Sequence, residues 1–249
     1  MPRYDFRTPR IYVDALLRSN GAVALDAAQT HYLRNVLRLK AGDPVLVFNG
    51  REGEWRAALG DRGKHAVSLV VGGPTRAQTP APDLHYLFAP LKHARLDYLV
   101  QKAVELGASR LQPVLTQHSQ IARVNLDRMK ANAIEAAEQC GILSLPEIAP
   151  PVTFDAMIAA RGAARLLIFC DEDAEVNDPI AALVSLRRPD PQPLAVLVGP
   201  EGGFAEHERR MLLGLPNVLR ISLGPRVLRA DTAAVAALAL LNAALGDWR

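Results

Sequence analysis

From Leu84 onward, short apolar runs alternate with segments whose apolar residues recur at helical spacing, and this rhythm constrains the fold more than any other feature. Leu84–Ala89, Leu111–Thr116, Leu166–Cys170, Ala195–Val198 and Val218–Leu223 read as buried strands. Between the first two, Leu96, Leu99, Val100, Ala103 and Val104 share a helical face, and Gly107 is a stop signal. A second helix is predicted from about Leu126 to Gln139, ending near Gly141. A polar helix starts at about Glu206, a short one lies near Ile180–Leu186 within a Pro- and charge-rich stretch, and Asp231–Leu245 forms the last. Strands alternating with helices predict an α/β domain with a mostly parallel sheet covered on both faces.

The preceding residues obey a different rhythm. Gly72–Pro82 is rich in turn formers and lacks hydrophobic periodicity, so residues 73–82 are expected to link residues 1–72 to a domain over 83–249. Strand-like runs at Arg10–Val13, Ala22–Leu25, Val45–Phe48, Trp55–Leu59 and Ala66–Val71 have the spacing of a small β-barrel. One helix, Ala28–Leu39, interrupts them, with Leu33, Val36 and Leu37 on its apolar face and His31, Arg34 and Arg38 around it. Lys40 follows. The net charge of +3 hides an asymmetry: residues 1–79 hold 12 Lys/Arg against 7 Asp/Glu, and residues 80–249 hold 17 against 19. Such a balance suits either an N-terminal part that meets a polyanion or a merely solvated basic surface.

Other classes fall away. Cys140 and Cys170 make neither a disulfide framework nor a metal-ligand spacing, and the six histidines are scattered, so no structural metal is expected. The start of the chain lacks the apolar stretch of a secretory signal, and Thr232–Leu245 is too short to span a bilayer, which points to a cytoplasmic protein without membrane contact.

Two strand-to-loop junctions carry the chemistry. In Leu194–Phe204 an apolar strand runs into Gly199-Pro200-Glu201-Gly202-Gly203. Glycines let a backbone approach a ligand closely, and the carboxyl end of a parallel strand is where ligands bind. Neither the GK[ST] element nor the GxGxxG spacing of phosphate-binding loops is present, so a sharp structural turn is the alternative. In Ile221–Ala234 a second strand meets Gly224-Pro225, followed by Arg226, Arg229 and Asp231 at the start of a helix. Asp231 or Thr232 can serve there simply as helix cap.

Taken together, LVGPEGGF (Leu197–Phe204) and LGPRVLRADTAA (Leu223–Ala234) resemble the RsmE family of 16S rRNA uridine N3-methyltransferases, within the SPOUT superfamily. HYLRNVLRLKAGD (His31–Asp43), QKAVELGAS (Gln101–Ser109), and Glu135–Gly141 with Pro146–Ile148 extend the resemblance over both parts of the chain. It implies a SPOUT domain threaded as a trefoil knot, a PUA-like barrel before it, a homodimer, S-adenosylmethionine (SAM) as methyl donor and the small ribosomal subunit as partner. By analogy with SPOUT pockets, Leu197, Gly199, Gly202, Ile221, Leu223, Gly224 and Leu228 would cradle the cofactor. Glu201 would bond a cofactor hydroxyl or ammonium, or else stabilise the following helix N-terminus. His31, Arg34, Arg38, Lys40, Lys92, Arg95 and Lys102 become candidates for RNA contact.

Uracil N3 carries a proton at neutral pH, so its methylation needs a base, or a cation to stabilise the uracil anion. Arg229 suits the second role; Asp231 suits the first, or else positions Arg229. Three positions depart from the family pattern: Gln117-His118 replaces a Glu-Arg pair, Ile142 an arginine, and Ala230-Asp231 a Thr-Glu pair. A non-catalytic RNA-binding assembly factor, or a methyltransferase for another RNA nucleotide, are the competing expectations.

Overall fold

The computed structural model describes residues 5–62, 67–175 and 178–248. The chain forms two compact units, Met1–Pro80 with Ala137–Leu145, and Ala81–Ala136 with Pro146–Arg249.

The first unit holds β1 (Arg10–Tyr12), β2 (Ala22–Ala24), α1 (Ala27–His31), β3 (Pro44–Phe48), β4 (Glu54–Arg62) and β5 (Val67–Arg76). They form one curled sheet in the order β1-β3-β4-β5-β2, antiparallel except for the β1–β3 pair. Alternate residues point inward, so Ile11, Val23, Val45, Val47, Leu59 and Leu69 meet in one core, as the period-two pattern requires. Ala66, the first residue of one expected strand, lies outside the described residues.

Two expectations are corrected in this unit. The segment 28–39 is not one α-helix: α1, capped by Asp26 and Gln29, gives way to a π-helical turn over Tyr32–Val36. There Leu37 N–H reaches the Tyr32 carbonyl at 2.9 Å, and Arg38 turns left-handed at φ 58°. The wider turn rotates Val36 outward, where it is 57% exposed, and lets Leu37 and Leu39 join the buried Leu33. The second correction concerns the expected linker, whose residues 73–76 are strand. Pro74 and Arg76 pair with Trp55 and Glu54, and the side chains of Thr75 and Arg76 bond the Glu54 carboxylate. Ala137–Leu145, which no local pattern tied to this unit, is fastened to it by the Arg76–Gly141 carbonyl bond (2.9 Å) and the Glu138–Tyr12 N–H bond (2.8 Å).

The second unit contains β6 (Leu84–Phe88), α2 (His93–Glu105), β7 (Arg110–Leu115), most of α3 (Leu126–Cys140), β8 (Glu147–Ile148), β9 (Val152–Thr153) and α4 (Phe154–Ala160). After these come β10 (Leu166–Cys170), α5 (Pro179–Ser185), β11 (Leu194–Val198), α6 (Glu206–Leu213), β12 (Val218–Ile221) and α7 (Ala230–Ala244). Among the described residues its strands pair only in parallel, in the order β12-β10-β11-β6-β7-β8 with β9 beside β7. This is the parallel α/β fold expected from the alternation. Leu87, Phe169, Ala195 and Leu197 pack with Phe154, Met157, Phe204 and Leu212 in a single core cluster.

The apolar helix α7 contains one fully buried amide, Asn242, whose Nδ2 donates to the Leu106 carbonyl at 2.7 Å. That bond fills an acceptor at the C-terminal end of α2 and satisfies the only polar side chain in the second half of α7. Among the described residues, no helix is long and apolar enough to cross a membrane.

Candidate active site

The order β12-β10-β11 brings the carboxyl ends of three strands side by side, and the loop after each forms one wall of a cavity of about 200 Å³. The β11 loop contributes Val198, Gly199, Pro200 and Glu201. The β12 loop contributes Ser222 to Leu228, and the first turns of α7 add Ala230 and Ala233. Cys170, the last residue of β10, with Asp171 and Glu172 after it, makes the third wall. Of the residues expected around a cofactor, Gly199, Glu201, Leu223, Gly224 and Leu228 line the cavity. Leu197 and Ile221 stand one shell back as buried strand residues, and Gly202 lies against the His118 side chain.

Local chemistry explains the loop shapes. Gly224 has φ 107°, and an added Cβ there would meet nothing within 4 Å; the backbone is bare where it faces the cavity. At Gly203, φ is 69° and an added Cβ would run into the Glu172 carboxylate. His118 Nδ1 lies 3.1 Å from the carbonyls of both Gly202 and Gly203, a bond that requires the proton on Nδ1. The residue that departs from the family's arginine thus still donates to the glycine loop. The buried Glu208 accepts from Gln117 N–H at 2.8 Å and Ala205 N–H at 2.9 Å, tying the start of α6 to the loop after β7. Ile142, a second departure, is half-buried in the first unit.

The β10 wall was not foreseen. Asp171 is fully buried at its carboxylate, which accepts from Arg220 Nε at 2.8 Å and Arg209 Nε at 3.1 Å. Arg209 also reaches Glu172 (2.9 Å) and Asp173 (2.8 Å). Burial works against the charge on Arg209, but the three carboxylates outweigh it and raise its pKa. The clamp fixes the β10 loop against the glycine loop. Replacing Gly203 with alanine would push Glu172 off that loop and strain the backbone, so the Kd for a ligand in the cavity is expected to rise about 10-fold. Calorimetric titration with SAM measures this, and an unchanged Kd would show that the clamp does not shape the cavity.

Cys170 is a wall group and not a nucleophile: burial, with Asp171 beside it, pushes its thiol up to about 12. The two expected catalytic residues are not themselves among the residues lining the cavity, but each is next in sequence to Ala230, which is. Arg229 takes the N-cap position of α7, with no capping bond from its side chain; that side chain is exposed and has no ion pair or hydrogen bond among the described residues. Its neighbours Leu228 and Ala230 both line the cavity. Asp231 is half-buried and, among the described residues, accepts only from the Thr232 N–H at 3.0 Å; the N-cap of α7 is Arg229. Beneath lies Tyr86, stacked on Phe88, whose hydroxyl has no partner among the described residues; burial, then Cys170 and Asp231, raise its pKa well above the usual value.

The expected RNA-contacting residues divide. Lys92, His31, Arg38 and Lys40 are exposed. Arg34 is half-buried and donates to the Gly60 carbonyl at 2.7 Å, so it braces the π turn against β4. Arg95 pairs with Glu201, joining α2 to the glycine loop, and Lys102 is held by Glu105 at 2.7 Å with the Tyr98 ring beneath it.

Comparison with known proteins agrees with this geometry. Residues 78–242 match the RNA methyltransferase domain model, and residues 25–72 the RNA methyltransferase PUA domain model. Ribosomal RNA small subunit methyltransferase E of Rickettsia conorii is 32% identical over 92% of this chain and 93% of its own. A Legionella pneumophila methyltransferase structure with bound SAM superposes with a TM-score of 0.81 at 29% identity, over 96% of this chain and 98% of that one. The same fold recurs in a Neisseria gonorrhoeae small subunit methyltransferase E, with a TM-score of 0.84 at 24% identity, over 98% of this chain and 100% of that one. Three loops closing one cavity, a family model over most of the chain and a relative matched along nearly its whole length converge: this chain belongs to the ribosomal RNA small subunit methyltransferase E family.

Proposed function

We propose that this protein transfers a methyl group from SAM to N3 of a uridine in 16S rRNA, acting on the small ribosomal subunit as a cytoplasmic homodimer. The observation that carries the reading is the cavity at the ends of β10, β11 and β12, built by the motifs that carry the family resemblance. Its donor set fits SAM. Bare backbone at Gly199 and Gly224 suits the edge of an adenine, and Val198, Leu223 and Leu228 offer it apolar faces. Glu172 and Glu201 are acceptors for hydroxyl or ammonium groups, and the uncapped N-terminus of α7 favours a carboxylate.

Bound there, the cofactor supplies an electrophilic methyl group on a sulfonium. The protein's task is then positioning and charge. Arg229, exposed and next in sequence to Leu228 and Ala230 of the cavity wall, stabilises the uracil anion on its carbonyl oxygens. Asp231, two residues on, takes the N3 proton or holds Arg229 in place. His31, Arg38 and Lys40 of the first unit, with Lys92 of the second, supply phosphate contacts. A half-exposed face of α7, Val235, Ala236, Ala239 and Leu240, beside the exposed Ile180 and Val184 of α5, supports the homodimer.

Titration of the purified protein with SAM is expected to give one site per chain. A protein that binds no SAM would be an RNA-binding assembly factor instead, and the reading would fall.

A further inference from the structure

A second cavity, of about 420 Å³, opens in the methyltransferase unit between the start of α2, the start of α3 and the segment before it. Its floor is apolar: Leu91, Leu96, Ile121, Val124 and Met129. Its rim is cationic. Arg123 is exposed and has no hydrogen bond or ion pair among the described residues. Arg128 is held flat by Asp97, through bonds of 2.8 and 2.5 Å to the two carboxylate oxygens.

This cavity is not isolated from the cofactor site. A small cleft shares Leu91 and Ile121 with it, and shares Pro200 and Glu201 with the cavity at the strand ends. The cleft also contains Lys92, exposed at the N-cap of α2 and, like Arg123, unpaired among the described residues. The cavity at the strand ends, the cleft and the apolar hollow thus adjoin one another through shared wall residues, and Lys92 and Arg123 line the last two.

The chemistry selects the occupant. An apolar floor takes the flat face of a base, and unpaired cations take phosphates; a single-stranded nucleotide offers both at once. A second copy of this chain would have to bury Arg123 and Lys92 with acidic partners. We propose that the hollow is a subsite for one unstacked nucleotide of the substrate RNA near the target uridine, its base on the floor and its phosphate between Arg123 and Lys92. The proposal rests on the RNA methyltransferase reading and gives that reading a path for the strand.

The test uses the whole protein, SAM and small ribosomal subunits from a strain lacking this enzyme. Arg123→Ala is expected to raise the KM for subunits about 10-fold and to lower the slope of log affinity against log salt by about one, with the Kd for SAM unchanged. Arg123→Lys should restore most of the affinity, because a point charge suffices for a phosphate. Val124→Trp, which fills the hollow without touching a charge, should raise the KM while leaving the salt slope alone. Unchanged KM and slope in Arg123→Ala, in a protein that methylates normally, would overturn the subsite but not the function. A wild-type protein that methylates no subunits would sink the function, and the salt slope of direct RNA binding would then decide the subsite. If Val124→Trp alters the oligomeric state instead of RNA affinity, the hollow belongs to a protein interface and the proposal is wrong.

Discussion

Replacing Arg229 with alanine is expected to lower kcat for methyl transfer by about 10²–10³-fold, the usual loss when a preorganised donor to a developing anion is removed. Two observations support so large an effect. The side chain is exposed and unpaired among the described residues, so it holds up no structure, yet the residues on both sides of it line the cavity. Removing it should therefore spare the fold, SAM binding and most RNA affinity, and act on the chemical step alone. Initial rates on unmethylated small subunits, with SAM titration as control, measure the split. Arg229→Lys should recover only part of the rate, because one ammonium cannot replace a planar fork of donors. Asp231→Asn separates the two roles open to Asp231. A lost acidic limb in the pH–rate profile marks Asp231 as the base, whereas an unchanged profile with a lower rate marks it as a positioning residue. Full activity in Arg229→Ala would remove Arg229 from the mechanism.

The second large effect concerns stability. Glu54 is almost fully buried in the first unit, and its carboxylate is shared by Arg10 at 2.6 Å, Arg76 at 2.7 Å and the Thr75 hydroxyl at 2.8 Å. Burial opposes its charge, but hydrogen bonds from Arg76, Arg10 and Thr75 outweigh burial and hold its pKa below the ordinary glutamate value. Glu54→Ala would leave two cations without their shared anion, Arg10 among them buried, and is expected to cost about 3–5 kcal/mol. Against a total of about 5–15 kcal/mol for a domain, that is enough to unfold much of the PUA-like unit. The sign of the pH dependence follows from the lowered pKa: the stabilisation is complete above the unfolded-state value and disappears as pH falls through the folded-state value. Chemical denaturation below pH 5 should show the wild type converging on the variant. A parallel loss with pH in both proteins would assign the acid sensitivity elsewhere.

The elements differ in how plainly the sequence announced them. The strands β10 and β11 are continuous apolar runs and β12 is apolar but for Arg220, and the glycine loops after two of them stand out by composition, so two cavity walls are legible in the sequence. The third wall is not. Asp171 and Glu172 sit in a polar stretch that reads as any loop, and acquire their role only through Arg209 and Arg220, 38 and 49 residues away. The turn at Tyr32–Val36 was hidden for another reason. A π turn and an α-helix share the same local run of Leu, Arg and Val, and only the fit of Leu37 and Leu39 to the core selects the wider one. Ala137–Leu145 continues a helix whose sequence gives no sign that its end belongs with the first unit. The short β8, β9 and α4, 2, 2 and 7 residues long, fall below the length at which periodicity separates from noise. Function was legible where chemistry is local, and obscure where it depends on partners distant in sequence.

The identity of the methylated product tests the proposed reaction most directly. Small ribosomal subunits from a strain lacking this enzyme should be incubated with the purified protein and SAM, and their 16S rRNA digested to nucleosides for mass spectrometry. The expected result is one new 3-methyluridine per 16S rRNA, absent when SAM is omitted. A different methylated nucleoside would contradict the assignment of uracil N3, and no methylated nucleoside at all would contradict the assignment of the cavity to methyl transfer.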